Sequence, residues 1–445
     1  MSGIILSTLY DDEKNRRDTI RRIETENIEP TQEEQEAAER IISELARIYS
    51  DDFAKLGIDD DGVKEKATQK VADLVLAMNT SLETKERVKK IVMITAFGYG
   101  PLTPLIEDDT VTEILVLSYN RIRVERHGII EDTGIRFTSE DHLQKIIQRI
   151  AQAANRQPNI SHPLIDAELR DGSRVQITYP PVVENAQMNI RKFRKDMMGY
   201  PAYIATGAIT PRMMLVMKHF VIGRLNIFIS GGTGTGKTTF LNVLSNFIPK
   251  KEIIVTIEDT YELQLQQPNV MRMRTRETAS KEMDNIDQAA LLRAALRKRP
   301  DRIIQGEARG PEIFDLINAM STGHEGSLAT VHANSPQHMC SMRIPNMFRM
   351  NGEMRFETSD IQALIADSVE IIIQLKRYSD GRRRVSQLSY VNGLDEKGEV
   401  IVTDMFRYLP KEDRFVCTGC VPEKLLEKMS DNGVEMDRKL LAADI

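Results

Sequence analysis

A chain of 445 residues is too long for one core of ordinary size, so two folded domains with appendages are expected. Its 28% charged and 41% hydrophobic residues are ordinary for a soluble globular protein, and its formal net charge of -6 disfavours a dedicated nucleic-acid binder. No apolar run approaches the roughly 20 residues that span a bilayer.

The chain begins with a short apolar patch, MSGIILSTLY. No basic stretch precedes it and no small-residue cleavage site follows, so it does not read as a signal peptide, and a cytoplasmic address is expected. Residues 1–30 are dense in both charge signs and poor in large apolar residues, which predicts a flexible charged leader. Thr31-Gln-Glu-Glu34 is a capping-box pattern. Behind it AAERIISELARIY, KEKATQKVADLVLAM and KERVKKIVMITAF carry apolar residues at helical spacing, so residues 31–97 form a helical segment.

GYGPLTP breaks that pattern, and the strands VTEILVL and RIRVERHG follow around a turn at Tyr119-Asn120. A helix over 142–154 and the short strands of IDAELRDGSRVQITYPP and AQMNIRKF complete a small α+β domain over 98–193, with Arg174 and Arg191 at the edges of its strands. Residues 194–209 mix Gly, Pro and Met without a period and read as an interdomain linker. Thr210-Pro211 is a helix N-cap with Pro at the first helical position, and it opens the second domain, 210–445.

Residues 224–240, RLNIFISGGTGTGKTTF, spell strand, glycine loop and helix. Glycines let successive backbone N–H groups turn inward around an anion, and the helix that follows presents its positive dipole end. Gly231, Gly232, Thr233, Gly234, Thr235, Gly236, Lys237, Thr238 and Thr239 therefore read as a nucleoside triphosphate cradle. Lys237 reaches the β- and γ-phosphates, and the Thr238 hydroxyl is offered to Mg²⁺. EIIVTIEDTYEL then places Glu258, Asp259 and Glu262 at the carboxyl end of a β-rich run, where carboxylates order Mg²⁺ or an attacking water. VMRMRTRE brings Arg272, Arg274 and Arg276, and a helix over IDQAALLRAALRKR stops at Pro300. DRIIQGEARG is a short strand with Glu307 where a Walker-B acid stands, preceded by Gly306 in place of Asp. GHEGSLATVHANSP encloses a strand with His324 near its start and His332 at its end, a hairpin turns at Asp380-Gly381, and GEVIVTDMFRYL and PEKLLEKM finish with a strand and a helix. Cys417 and Cys420 have C-x-x-C spacing, but no second pair or nearby His completes a zinc set.

Four stretches in this order, GGTGTGKTT, IEDTYEL, IIQGEARG and GHEGSLATVHANSP, resemble the Walker A, Asp box, atypical Walker B and His box of the type II/type IV secretion ATPase superfamily. The wording is closest to the Tad/Flp pilus assembly ATPases (CpaF-like), which are similar to conjugative type IV secretion ATPases. The resemblance runs over about residues 95–425. It implies an α/β chain in which a RecA-like P-loop ATPase domain follows a smaller α+β N-terminal domain with a helical leader. It further implies a homo-hexamer that hydrolyses ATP with Mg²⁺ at protomer seams and drives inner-membrane platform proteins from the cytoplasmic face of the membrane, extending or retracting a pilus or exporting protein. Carried over by motif, Lys237 and Thr238 hold phosphate and Mg²⁺, Glu258 activates water, Glu307 supports Mg²⁺ and His332 faces the γ-phosphate. Arg174, Arg191, Arg272 and Arg276 match arginines that neutralise the triphosphate.

Two departures stand out. Gln305 replaces an apolar residue before Gly-Glu, and Pro345 falls where relatives run a helix. The rival classes are a self-contained P-loop kinase, for which no lid or acceptor pocket is legible, and a nucleic-acid translocase, which the acidity and the lack of an aromatic-basic strip disfavour. A binding subunit that no longer hydrolyses ATP conflicts with the presence of Lys237, Glu258, Glu307 and His332 together.

Overall fold

The computed structural model describes residues 31–48, 61–126, 128–154, 156–193, 199–276, 284–350, 352 and 356–444. The charged leader expected over 1–30 lies outside them. The chain divides into two compact units, Met1–Arg194 and Lys195–Ile445.

In the first unit, the helix Gln32–Ile48 opens on a reciprocal cap. The Thr31 N–H donates to Glu34 Oε2 at 2.9 Å, and the Glu34 N–H donates to Thr31 Oγ1 at 3.3 Å. This helix, Asp61–Leu76 and Leu82–Phe97 bury Leu45, Val71, Val88 and Val92 in one cluster. A six-stranded sheet follows, built from β1 (Val111–Ser118), β2 (Arg121–Arg126), β3 (Ile129–Asp132), β4 (Leu164–Glu168), β5 (Arg174–Thr178) and β6 (Gln187–Arg191). Its order is β3-β2-β1-β6-β5-β4 and every pairing is antiparallel. The helix Glu140–Ala153 is capped by the Ser139 hydroxyl, which accepts the His142 N–H at 3.1 Å. Its Leu143, Ile146, Ile147 and Ile150 share a core with Ile114, Val116 and Ile190 of the sheet. That is the i, i+3, i+4 stripe packed on alternate strand residues.

The second unit is a nine-stranded sheet of β7 (Ile227–Gly231), β8 (Ile254–Glu258), β9 (Val270–Arg274), β10 (Arg302–Ala308), β11 (Leu328–Val331), β12 (Ile371–Arg377), β13 (Arg383–Leu394), β14 (Val400–Leu409) and β15 (Arg414–Cys417). The order is β15-β14-β13-β12-β7-β11-β10-β8-β9. The six strands from β12 to β9 in that order are parallel, and β13, β14 and β15 extend the sheet antiparallel. All residues of β7 and β8 are buried, as a parallel sheet covered on both faces requires. Ile227 and Ile229 pack with Phe240 and Leu244 of the helix Lys237–Ser245 on one face. Phe228 packs with Leu316 and Ile317 of the helix Glu312–Ser321 on the other. Each such side chain contributes about 1.5–3 kcal/mol of burial. Because these strands are parallel, their carboxyl ends line one edge of the sheet, where ligands of open α/β folds sit.

The opposite edge is held by a buried ion pair. Arg302 is fully buried, donates to Glu252 Oε2 from Nε at 2.6 Å, and donates to the Gly326 carbonyl from Nη1 at 3.0 Å.

Several expectations change. Residues 199–209, read as linker, belong to the second unit: the helix Tyr200–Ala205 packs Tyr203 on Phe240 with ring centroids 5.0 Å apart, and Ala208 and Ile209 are buried. Pro345 lies inside a continuous helical run: Pro336–His338 passes through a π-turn over Met339–Arg343 into Ile344–Arg349, and the wider turn just before Pro345 accommodates its missing N–H. β9 and β15 were not read as strands. Both are edge strands; β9 carries the period-two alternation of Met with exposed Arg but was read for its charge, and β15 is only four residues long.

Candidate functional site

The glycine loop links β7 to the helix Lys237–Ser245 and turns through two left-handed residues, Gly234 at φ 69° and Gly236 at φ 90°. Only glycine adopts these routinely, and they let consecutive N–H groups face one concavity. Lys237 is buried, and its Nζ donates to the Gly231 carbonyl at 3.1 Å and the Gly232 carbonyl at 3.2 Å. Burial lowers its pKa from the ordinary value, opposed by the Glu307 carboxylate.

From Lys237 a polar chain crosses to the neighbouring strand ends. The Lys237 ammonium lies 3.4 Å from His332 Nδ1 and 3.2 Å from Nε2, and His332 Nε2 lies 2.8 Å from Glu307 Oε1. His332 directly follows β11, and Glu307 stands at the carboxyl end of β10. Burial, then Lys237, lowers the His332 pKa, which keeps the ring neutral near pH 7. A neutral ring with its proton on Nε2 donates to Glu307 and leaves Nδ1 to accept from Lys237. His324 sits at the other end, before β11 begins.

Glu258 ends β8 and is 2% exposed. Its Oε2 accepts the N–H groups of Glu262 and Leu263, each at 2.7 Å, and Arg272 Nη2 lies 3.8 Å from Oε1. Burial wins over these contacts and pushes the carboxyl up to about 7. Such a group exchanges a proton near neutrality, as general-base chemistry asks. Gly306, in the place of the usual Asp, has a steric reason: a Cβ there would stand 3.3 Å from Glu258 Cγ. Arg272 stacks on the Tyr261 ring at 4.3 Å, which fixes the guanidinium beside Glu258.

Asp259 belongs to a second network that sequence reasoning did not assemble. Gln288 Nε2 donates to Asp259 Oδ1 at 2.8 Å, Thr275 Oγ1 donates to the same oxygen at 3.2 Å, and the Arg309 guanidinium donates to Oδ2. Gln305, expected at a strand end, lies fully buried inside β10 and donates to Gln288 Oε1 at 2.5 Å. Its polarity therefore serves this network. Arg309 is two residues beyond Glu307, a proximity that was visible, but its partner is 50 residues away.

The remaining arginines divide. Arg272 is at the site, whereas Arg276 donates from Nε and Nη2 to the Asp284 carbonyl at 3.2 and 3.0 Å. Arg174 and Arg191 lie in the first unit, directly opposite each other across β5 and β6, with Arg191 paired to Glu113 at 2.6 Å. A hydroxyl at Thr238 and a carboxylate at Glu307 are hard oxygen donors, a set that suits Mg²⁺ completed by phosphate and water. Among the described residues no group of three or more His, Cys, Asp or Glu side chains could hold a metal ion, and Cys417 and Cys420 are free thiols. Nor is any described helix long and apolar enough to cross a membrane.

The profile of the type II/IV secretion system protein family matches residues 95–416. A Mycobacterium tuberculosis protein with a provisional conjugal-transfer name is 30% identical over 319 residues, 70% of this chain and 90% of its own length. The type IV secretion system protein PtlH of Bordetella pertussis is 31% identical over 280 residues, 57% of this chain and 82% of its own. Among solved structures, the VirB11 ATPase of the Brucella suis type IV secretion system aligns at 26% identity over 65% of this chain and 95% of its own, with a TM-score of 0.36. The pilus retraction motor PilT aligns at 21% identity over 67% of this chain and 81% of its own, with a TM-score of 0.47. Because the profile spans well over half of the chain and takes in Lys237, Glu258, Glu307 and His332, the chain belongs to the type II/IV secretion system protein family.

Proposed function

We propose that the chain is the ATP-hydrolysing motor of a Tad-type or type IV-like pilus or of a protein secretion machine, working as a homo-hexamer at the cytoplasmic face of the membrane against platform proteins. The observation that carries the reading is the continuous chain from Lys237 through His332 to Glu307 at the phosphate-binding edge of the sheet, beside a Glu258 poised near neutrality. In this reading the loop amides of residues 231–236, Lys237, Thr238 and Thr239 bind the triphosphate. Thr238 and Glu307 hold Mg²⁺, which when bound draws charge from the β- and γ-phosphates. Glu258 accepts the proton of the attacking water, and the buried environment that raises its pKa makes it a base at neutral pH. His332 faces the γ-phosphate side between Lys237 and Glu307, so loss of that phosphate is felt at Glu307 through the ring that both groups contact.

Phosphoryl transfer asks mainly for positioning and for neutralisation of spreading charge. Arg272 is at hand for the second task, and Arg174, Arg191 and Arg276 are further candidates for it, some arginines coming from the same protomer and some from its neighbour. The relatives named for conjugal transfer favour one alternative, a conjugative type IV secretion ATPase with the same chemistry and a different cargo. Specific activity measured over a wide protein concentration range, with sedimentation alongside, tests the shared-site motor. Turnover per protomer that climbs as hexamers form supports it, and flat turnover from an active monomer points to a self-contained enzyme.

A further inference from the structure

The hairpin of β12 and β13 reaches the glycine loop, 149 residues away in sequence. β12 runs parallel to β7, with Gln374 opposite Ser230 and Leu375 opposite Gly231, so the residues after it pass alongside the loop. There the Arg383 Nε donates to the Gly234 carbonyl at 2.9 Å. Its Cδ lies 3.9 Å from the position a Cβ on Gly236 would take, with the Tyr203 hydroxyl 4.0 Å away, and Arg377 Nη1 comes within 3.9 Å of that position on Gly234.

The arginine is held in place by its neighbours. Buried Arg384 donates from Nη1 to the Arg383 carbonyl at 3.0 Å and to the Thr206 carbonyl at 3.1 Å, which ties the hairpin to the end of the helix Tyr200–Ala205. Arg382 is pinned at the hairpin tip by Asp380 at 2.6 Å and Asp413 at 2.7 Å.

A trans peptide is planar, with its C=O and N–H pointing in opposite directions. A donor that fixes the Gly234 oxygen therefore fixes the direction of the Thr235 N–H, pointed away from Arg383. A flip of that peptide turns on ψ of Gly234 and φ of Thr235, and Gly234, left-handed at φ 69° and without a Cβ, is the side that leaves it freest. We propose that Arg383 is a positioning residue for phosphate binding, locking the Gly234-Thr235 peptide so that the Thr235 N–H faces the anion. The inference rests on the reading of the loop as an ATP site.

The test is steady-state Mg²⁺-ATP kinetics and equilibrium binding of a fluorescent ADP analogue to the full chain, comparing wild type, Arg383→Ala, Arg383→Lys, Arg382→Ala and Lys237→Ala. Loss of one charge-assisted bond corresponds to about tenfold in affinity. Arg383→Ala is expected to raise KM and Kd by about that factor, with kcat within about twofold and the nucleotide-free melting temperature unchanged. Arg383→Lys recovers part of the affinity, and Arg382→Ala, which alters the same hairpin without touching the loop, binds as wild type does. Wild-type Kd in Arg383→Ala, or an equal loss in Arg382→Ala, overturns the inference alone. Wild type binding no better than Lys237→Ala overturns the nucleotide reading and this inference together. Should Arg383→Ala not fold, Arg383→Lys decides: a raised Kd at unchanged melting temperature supports the assignment, and a wild-type Kd overturns it.

Discussion

Replacing Glu258 with Gln should change the way stability depends on pH. The folded carboxyl titrates at about 7 against an ordinary value of 4.5, because burial disfavours its charge more than two backbone N–H groups and Arg272 favour it. Below pH 4.5 both folded and unfolded chains hold this proton and nothing is gained or lost. Between 4.5 and 7 the unfolded chain releases it while the folded chain keeps it, so stability falls as pH rises and the full penalty is present above 7. The gap between 4.5 and about 7, at about 1.4 kcal/mol per pH unit, is about 3 kcal/mol. Gln carries no such proton. The difference in stability between Glu258→Gln and wild type should therefore move in favour of the variant by up to about 3 kcal/mol from pH 5 to pH 8.5. For a unit of this size that is on the order of 6 °C in melting temperature. Calorimetric scans of both proteins across that range measure it, and all other titrating groups cancel in the difference. A difference flat with pH would refute the buried, raised carboxyl and with it the argument for Glu258 as a base at neutral pH.

Other outcomes follow from the same geometry. Gly306→Ala forces Glu258 aside by a few tenths of an ångström, so kcat should fall about tenfold while the melting temperature stays within about 2 °C. Arg272→Ala removes a cation that holds the Glu258 pKa down, so the acid limb of the kcat/KM profile should move to higher pH, and an unmoved limb would dissociate Arg272 from Glu258. His332→Ala should lower kcat by about 10²–10³ with nucleotide affinity changed only a few-fold, as loss of a single group preorganised at the reacting phosphate does. Gly326→Ala sets a Cβ on the Arg302 guanidinium and 2.9 Å from Arg224 Cα, at a φ of +78°. Displacing Arg302 leaves buried Glu252 with only Arg224, 3.3 Å away, and adds a left-handed Ala, so urea denaturation should show a loss of about 2–4 kcal/mol.

What was legible in the sequence was contiguous. The glycine loop, the acidic end of β8 and the stretch that carries His332 each show as a contiguous motif at the end of an apolar run with a clear stop. The capping box at Thr31 was readable for the same reason, since both its bonds span three residues. The contacts of His332 with Lys237 and Glu307, by contrast, are made by the pairing of β11 with β7 and β10. Interactions closed by the fold across long stretches of sequence were not legible. Arg383 meets Gly234 only because β12 pairs with β7, Arg309 meets Asp259 only because β10 lies beside β8, and Arg302 finds Glu252 by the same pairing. β9 was legible and passed over: its alternating Met and Arg is the period of two of a half-exposed edge strand, read only for its charge. The segment over 199–209 looked like linker because its buried residues, Tyr203, Ala208 and Ile209, follow no single helical or strand period.

The most direct test of the central claim is Mg²⁺-ATP hydrolysis and ATP binding by the purified chain beside Lys237→Ala and Glu258→Gln. The account predicts phosphate release by wild type, loss of both binding and turnover in Lys237→Ala, and retained binding without turnover in Glu258→Gln. Phosphate release at the wild-type rate by either variant would contradict it.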